Sequence, residues 1–245
     1  MKLKFVTILL LIIGFLIACN GYKTPTPPPP TAAVDGITKF YTDKNNLFVT
    51  TKTGINQYTV ATNGTSVVLK EAIKIPYFVE SIIYQKDTLF LSSQDGLHLY
   101  DIKTKADVKL ITGIKPCNKV ILKDTLLYIL KGIQYCVDTA TIGLKIYNLK
   151  DLKKIKFVAY YPLKTPTDMV IVGKNLFIAN DKLGIFSYDL TNPRRPNFTG
   201  NASNRQAITI VAKDNTLWVK DSANISQYVF GTDGSFNFKT SIPFK

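Results

Sequence analysis

The sequence predicts an all-β fold, a β-propeller of five blades with four antiparallel strands each, on three observations. Strand-like runs bounded by turn residues recur about every ten residues from Asp35 onward. No stretch of that body combines helical periodicity with capping signals over three turns. A frame of an apolar run, a Gly or Asn, and a Tyr four residues later returns five times, and a period of about forty residues holds the four short strands of one blade.

The copies are Asn46-Leu47-Phe48-Val49 with Gly54 and Tyr58, and Leu89–Leu91 with Gly96 and Tyr100. They continue as Thr125-Leu126-Leu127-Tyr128 with Gly143 and Tyr147, and Asn175-Leu176-Phe177-Ile178 with Gly184 and Tyr188. The last is Thr216-Leu217-Trp218-Val219 with Tyr228, where Asn224 takes the glycine's place. The tyrosines are 42, 47, 41 and 40 residues apart. A glycine or asparagine there supplies the positive φ that a reversal between strands often needs. The tyrosine ring is expected to fill space between sheets with its hydroxyl at the edge, the other reading being a ligand-stacking ring.

The N-terminal segment, residues 1–18, stands apart from the fold. Lys2 and Lys4 form a basic n-region, and Phe5 to Ile17 is an apolar run too short for a comfortable membrane span. Leu16-Ile17-Ala18-Cys19 resembles the lipobox of bacterial lipoproteins, in which the cysteine is acylated and becomes the first mature residue. An ordinary signal peptide or an uncleaved anchor is the other reading. Several acyl chains anchor stably, since each buried CH₂ contributes about 0.8 kcal/mol. Asn20 follows the cysteine in place of the aspartate associated with inner-membrane retention, so that resemblance implies an outer-membrane, lipid-anchored protein, periplasmic or surface-exposed.

Residues 19–34 carry Pro25 and Pro27–Pro30 among threonines, a composition that cannot pack a core and favours extended conformations. They read as a tether. Residues 35–245 are the propeller domain, long enough for one sizeable core. Its blades are expected at about 36–75, 76–115, 116–163, 164–201 and 202–245, the third lengthened by ten residues between its second and third strands. Each blade is complete in sequence order, so ring closure rests on packing without a strand exchanged between the termini.

Gly184-Ile185-Phe186-Ser187-Tyr188-Asp189-Leu190-Thr191-Asn192-Pro193, followed by Pro196, resembles the repeat of the LVIVD family. Leu99-Tyr100-Asp101-Ile102 keeps the centre of that pattern. The resemblance implies a propeller, often in the cell envelope, and brings no catalytic residues.

Cys117 and Cys136 remain once Cys19 is set aside, and in an oxidising compartment a pair is expected to form a disulfide. Pairing about the Lys123-Asp124 turn would bring them to one rim and pin the insertion, at about 2–4 kcal/mol.

The formal charge is +14, or +12 once Lys2 and Lys4 leave with the leader. Lys44, Lys86, Lys123, Lys174 and Lys213 fall at turns between first and second strands. Lys103, Lys105, Lys150, Lys153, Lys154, Lys156, Arg194 and Arg195 fall near turns between third and fourth strands. In a propeller both turn types emerge on one face. That predicts a basic rim able to bind an anionic envelope polymer, the other reading being solvated turn residues. A protein partner is the remaining expectation, and nucleic acid is not expected for an exported lipoprotein.

Catalytic patterns are sparse. The single histidine, His98, lies inside a strand, which argues against a multi-histidine metal site or a Ser-His-Asp arrangement. Gly54, Gly96, Gly143 and Gly184 fall one per blade and serve turns, so no phosphate-cradling glycine loop is read and no cofactor is expected. Asp35, Glu80 and Asp168 fall near the starts of innermost strands, and Glu80 with Asp168 would be the acid–base pair of a small glycoside hydrolase. The expectation is a non-catalytic binding or scaffold module, with that hydrolase as the alternative.

Overall fold

Every second strand of the body lies between a first and a third strand of its own blade, as hairpins in series require. The computed structural model describes residues 40–43, 45–114, 119–132, 142–202 and 205–244. Blade 1 comprises β1 (Phe40–Asp43), β2 (Asn46–Thr51), β3 (Gly54–Val60) and β4 (Val67–Lys74). Blade 2 comprises β5 (Ser81–Gln85), β6 (Thr88–Ser92), β7 (Gly96–Asp101) and β8 (Ala106–Thr112). Blade 3 has β9 (Lys119–Lys123), β10 (Leu126–Lys131), β11 (Gly143–Asn148) and β12 (Lys156–Pro162), with a 3₁₀ turn at Leu152–Lys154. Blade 4 has β13 (Pro166–Val172), β14 (Asn175–Asn180), β15 (Gly184–Asp189) and β16 (Asn197–Ala202). Blade 5 has β17 (Thr209–Lys213), β18 (Thr216–Lys220), β19 (Asn224–Phe230) and β20 (Phe236–Pro243). Each set of four forms one antiparallel sheet in sequence order, so the chain is a β-propeller of five four-stranded blades.

Tight hairpins join the first and second strands. Lys86, Asp124, Gly173 and Asp214, each at the first position of its loop, take φ values of 47°, 55°, 56° and 53°. The repeat frame acquires a physical meaning in the next ladder. Leu47 stands opposite Tyr58, Leu89 opposite Tyr100, Leu127 opposite Tyr147, Leu176 opposite Tyr188 and Leu217 opposite Tyr228. The third copy therefore runs one residue later than the frame read from the sequence. Leu126 and Leu127 are both apolar, so only the ladder tells which of them opposes the tyrosine.

In all five blades the ladder from third to fourth strand shifts register immediately before that tyrosine. Such a bulge raises the local twist of the outer strand. The glycine four residues earlier is required by close approach as much as by its dihedral. A Cβ at Gly54, Gly96, Gly143 or Gly184 would lie 2.0, 2.6, 2.2 or 1.9 Å from a carbonyl oxygen of the fourth strand. Asn224 is not among the residues with positive φ. It starts β19 instead by donating its backbone N–H to Asp221 Oδ1 at 2.6 Å.

Four apolar clusters join consecutive blades. Phe48 and Ile55 pack with Leu89 and Leu91, and Phe90 and Leu99 with Leu127 and Ile129. Tyr128 and Ile146 pack with Leu176 and Ile178, and Phe177 and Ile185 with Leu217 and Val219. A second strand covered on both faces is apolar between its ends: β6, β10 and β14 are buried at every position, with polar residues only at their termini, Thr88, Ser92, Lys131, Asn175 and Asn180. In β18 buried and exposed residues alternate from Leu217 to Lys220, because one of its faces is covered. Among the described residues no apolar cluster joins blade 5 to blade 1.

Among the described residues no strand is exchanged between the ends of the domain. Cys19, Cys117, Cys136, Asp35 and Lys44 lie outside the described residues. Among the described residues, no helix is long and apolar enough to cross a membrane.

Candidate anion-binding groove

The loop from β15 to β16 is held rigid by its own polar residues. Asp189 accepts the backbone N–H of Thr191 at 2.5 Å through Oδ1 and pairs with Lys174 Nζ at 2.8 Å through Oδ2. The ammonium of Lys174, with the Thr191 donors, holds the Asp189 carboxyl down at about 2. Asn192 accepts the N–H of Arg194 through its side chain at 3.2 Å and that of Arg195 through its carbonyl at 2.9 Å. Blade 3 clamps the same loop. The hydroxyls of Tyr128 and Tyr161 donate to the carbonyls of Pro193 and Arg194 at 3.2 and 3.3 Å. Burial, reinforced by Asp124, pushes the Tyr128 hydroxyl up to about 12, so it stays a donor.

Beside this loop runs an open groove of about 560 Å³ between blades 3 and 4. Lys156, Arg194 and Arg195 line it together with Phe157, Tyr161 and Asn192. The three cations are exposed, and none has a carboxylate partner among the described residues. Phe157 is 57 % exposed and meets Tyr147 edge-on at 5.6 Å, so an aromatic face borders the charges. Two guanidiniums on a fixed loop suit planar oxyanions, which they bind in pairs of N–H bonds.

Several of the other cations named from the sequence have partners of their own. Lys174 is committed to Asp189, and Lys103 to Asp87 at 2.6 Å. Lys105 pairs with Glu71, and Lys123 donates to the carbonyl of Gly173. Lys86 and Lys213 are exposed at their hairpins. Lys150, Lys153 and Lys154, all exposed, precede the groove residue Lys156 in sequence.

Glu80 and Asp168 have separate partners. Glu80 accepts a bond from the Gln94 amide. Asp168 is 7 % exposed, pairs with Lys119 Nζ at 3.1 Å and accepts the N–H of Ile210 at 3.1 Å, tying the inner strands of blades 3, 4 and 5. No hydrogen bond or ion pair connects the two carboxylates. A cavity of about 370 Å³ between the inner strands of blades 1, 2 and 3 is lined by Tyr41, Ile83, Tyr84, Val120, Ile121 and neighbours, with no carboxylate among them.

The environment of His98 was not legible beforehand. The residue is 5 % exposed, with Nδ1 3.0 Å from Asp107 Oδ2 and Nε2 2.9 Å from Asp95 Oδ1. Tyr77 stacks on it at 3.7 Å and donates its hydroxyl to Asp107 at 2.8 Å. Burial, then Asp107, pushes the Tyr77 hydroxyl far up, while Ser93 and then His98 hold the Asp95 carboxyl at about 2. Both ring nitrogens are engaged by carboxylates, and Ser93 donates to Asp95 and not to the ring, so no Ser–His pair forms here. The Asp95–His98 spacing of three was a sequence signal for this cluster; Asp107 and Tyr77 arrive only through the blade. Among the described residues no group of three or more His, Cys, Asp or Glu could hold a metal ion.

Comparison with solved structures supports the fold. A functionally unknown protein from Desulfotomaculum acetoxidans superposes with a TM-score of 0.66 at 13 % identity, covering 85 % of this chain and 70 % of that one. Hsv2 of Kluyveromyces lactis, a β-propeller, gives 0.62 at 13 % identity over 82 % of this chain and 62 % of its own. PorZ, an essential surface component of the type-IX secretion system of Porphyromonas gingivalis, gives 0.60 at 13 % identity over 83 % and 33 %. The chain thus spans less than two thirds of Hsv2 and a third of PorZ. No family model matches the sequence, and no curated protein does.

Proposed function

We propose that the protein is a lipid-anchored envelope protein whose propeller is a non-catalytic binding module, and that the groove between blades 3 and 4 takes an anionic glycan. The observation that carries the binding site is the convergence of Lys156, Arg194 and Arg195, without carboxylate partners, on one rigid groove with an aromatic border. A sulfate, phosphate or uronate group would bond the guanidiniums while a sugar ring lies against Phe157. The hydrolase alternative needs two available carboxylates at one mouth. Asp168 is occupied by Lys119 and Ile210, which favours the binding reading.

The anchor is Cys19, after a leader over residues 1–18, with residues 19–34 as the tether and the outer membrane as destination. The glycine-to-proline run 184–196, which resembles the LVIVD repeat, builds the loop that presents the arginines. Replacing Cys19 by Ala is expected to move the protein from membrane to soluble fraction; unchanged partitioning removes the lipid anchor. A glycan array at two salt concentrations, with product analysis on each hit, tests the module. Salt-sensitive binding without cleavage is expected, and cleavage lost in Glu80→Gln would establish the hydrolase instead.

A further inference from the structure

The turn from β18 to β19 lies at the opposite end of the strands from the arginine loop. Beside it opens a polar pocket of about 500 Å³, with Arg205, Gln206, Asp221, Ser222, Asn224 and Ser241 in its lining. Hydrogen bonds fix its walls. Asp221 Oδ1 accepts the backbone N–H groups of Ala223 and Asn224 at 2.7 and 2.6 Å, which closes the turn. Gln206 donates its amide to Asp181, beyond the end of β14, at 2.5 Å and accepts the N–H of Ser222 at 3.2 Å, so it bridges blades 4 and 5.

Two opposite charges line this pocket without pairing with each other. Among the described residues Arg205 has no carboxylate partner. Its guanidinium lies over the ring of Phe238, 4.7 Å from the centroid, a contact that steadies the side chain and leaves its N–H fork for a ligand. Asp221 Oδ2 takes the Asn224 amide at 3.4 Å, a long bond that leaves room for a better donor. Burial works against the Asp221 carboxylate, but the N–H bonds from Ala223 and Asn224, then the Arg205 charge, hold it below the ordinary aspartate range, so it stays a charged acceptor. Ser241 accepts the hydroxyl of Ser226 at 3.3 Å and keeps its own proton to donate.

A ligand that fits must donate to Asp221 and accept from Arg205 and the serine hydroxyls. A simple anion would meet the Asp221 carboxylate, and a simple cation the Arg205 guanidinium. Adjacent hydroxyls on one ring donate and accept without carrying charge, and the pocket has the volume of a small-molecule site. We propose that this pocket binds a neutral sugar, whose vicinal hydroxyls bridge Arg205 and Asp221. The site is built from other residues than the groove between blades 3 and 4, and it carries a different salt signature.

The test titrates glucose, galactose, mannose and N-acetylglucosamine, and short oligosaccharides of each, into the full chain. The chain is kept in a detergent without a sugar headgroup, and binding is read by saturation-transfer NMR and calorimetry at low and physiological salt. At least one of these sugars is expected to bind with the same affinity at both salt concentrations, since no ligand charge is screened. Arg205→Ala and Asp221→Asn are each expected to weaken that binding by about tenfold or more, the loss of a hydrogen bond to a charged group. Asparagine keeps an oxygen to close the turn, and Arg205 is exposed, so unchanged melting temperatures are expected for both variants. Arg205→Ala should also leave the affinity for a sulfated glycan as it is in wild type. No binding of any of these sugars, binding that survives Arg205→Ala, or binding that falls with salt overturns the proposal. The groove between blades 3 and 4 stands or falls separately, on sulfated-glycan binding by the wild-type protein.

Discussion

Leu176 of β14 stands directly opposite Tyr188 of β15, and the β15–β16 ladder shifts register immediately before that tyrosine. Leu176 is fully buried against blade 3, and Tyr188 packs at the border of the same cluster. Burial pushes the Tyr188 hydroxyl up, as expected for a ring that fills space between blades.

Removing the leucine should therefore be costly, and truncating an exposed residue on the outer face of blade 5 should not. Leu176→Ala is expected to destabilise the domain by about 2–5 kcal/mol in chemical denaturation, because a cavity opens between two blades. Val211→Ala, at a position 57 % exposed, should change the stability of the single chain by less than about 1 kcal/mol. Equal costs would contradict the assignment of faces.

Gly184 has φ +81°, and a Cβ there would meet the Ala202 carbonyl oxygen at 1.9 Å. Gly184→Ala is expected to cost more than about 2 kcal/mol, since backbone must move as well as adopt a strained dihedral. Gly200 in β16 has open space around its Cβ position, so Gly200→Ala should stay within about 1 kcal/mol of wild type. Thermal melts of the two variants read the contrast directly.

Asp189 gives a pH dependence with a definite sign. Its carboxyl sits at about 2, below the ordinary aspartate value near 3.9. The stabilisation it contributes is full above the ordinary value and is lost as pH falls through about 2. Lys174→Ala removes the leading cause, so the carboxyl should titrate closer to the ordinary range and the arginine loop loosen at milder acidity. A carbon-detected NMR titration of Asp189 checks it, and a wild-type midpoint near 4 would refute the Lys174 clamp.

The blades were legible because their turns and tyrosines recur in register, and because β6, β10 and β14 are apolar between their end residues. The register of β10 was not, since Leu126 and Leu127 are interchangeable in composition and differ only in which faces Tyr147. Arg194 and Arg195 were visible as charges. Their groove was not, because it depends on Tyr128 and Tyr161 of another blade reaching the carbonyls of Pro193 and Arg194. The partners of three of the expected rim lysines were not legible: Asp87 and Asp189, at neighbouring turns, pair with Lys103 and Lys174, and Glu71 reaches Lys105 from the middle of β4 in another blade.

The most direct test of the binding reading is the affinity of the wild-type protein and of Arg194→Ala/Arg195→Ala for purified lipopolysaccharide and a sulfated glycan, at low and physiological salt. Each charged hydrogen bond contributes about 1.5–3 kcal/mol, so the double substitution should weaken binding by about a hundredfold or more. It should also flatten the salt dependence, because the charges that salt screens are gone. Wild-type affinity that falls steeply with salt, and a variant that folds but binds weakly at both concentrations, is the predicted result. Equal binding by both proteins, or none by either, would contradict an anion-binding groove between blades 3 and 4.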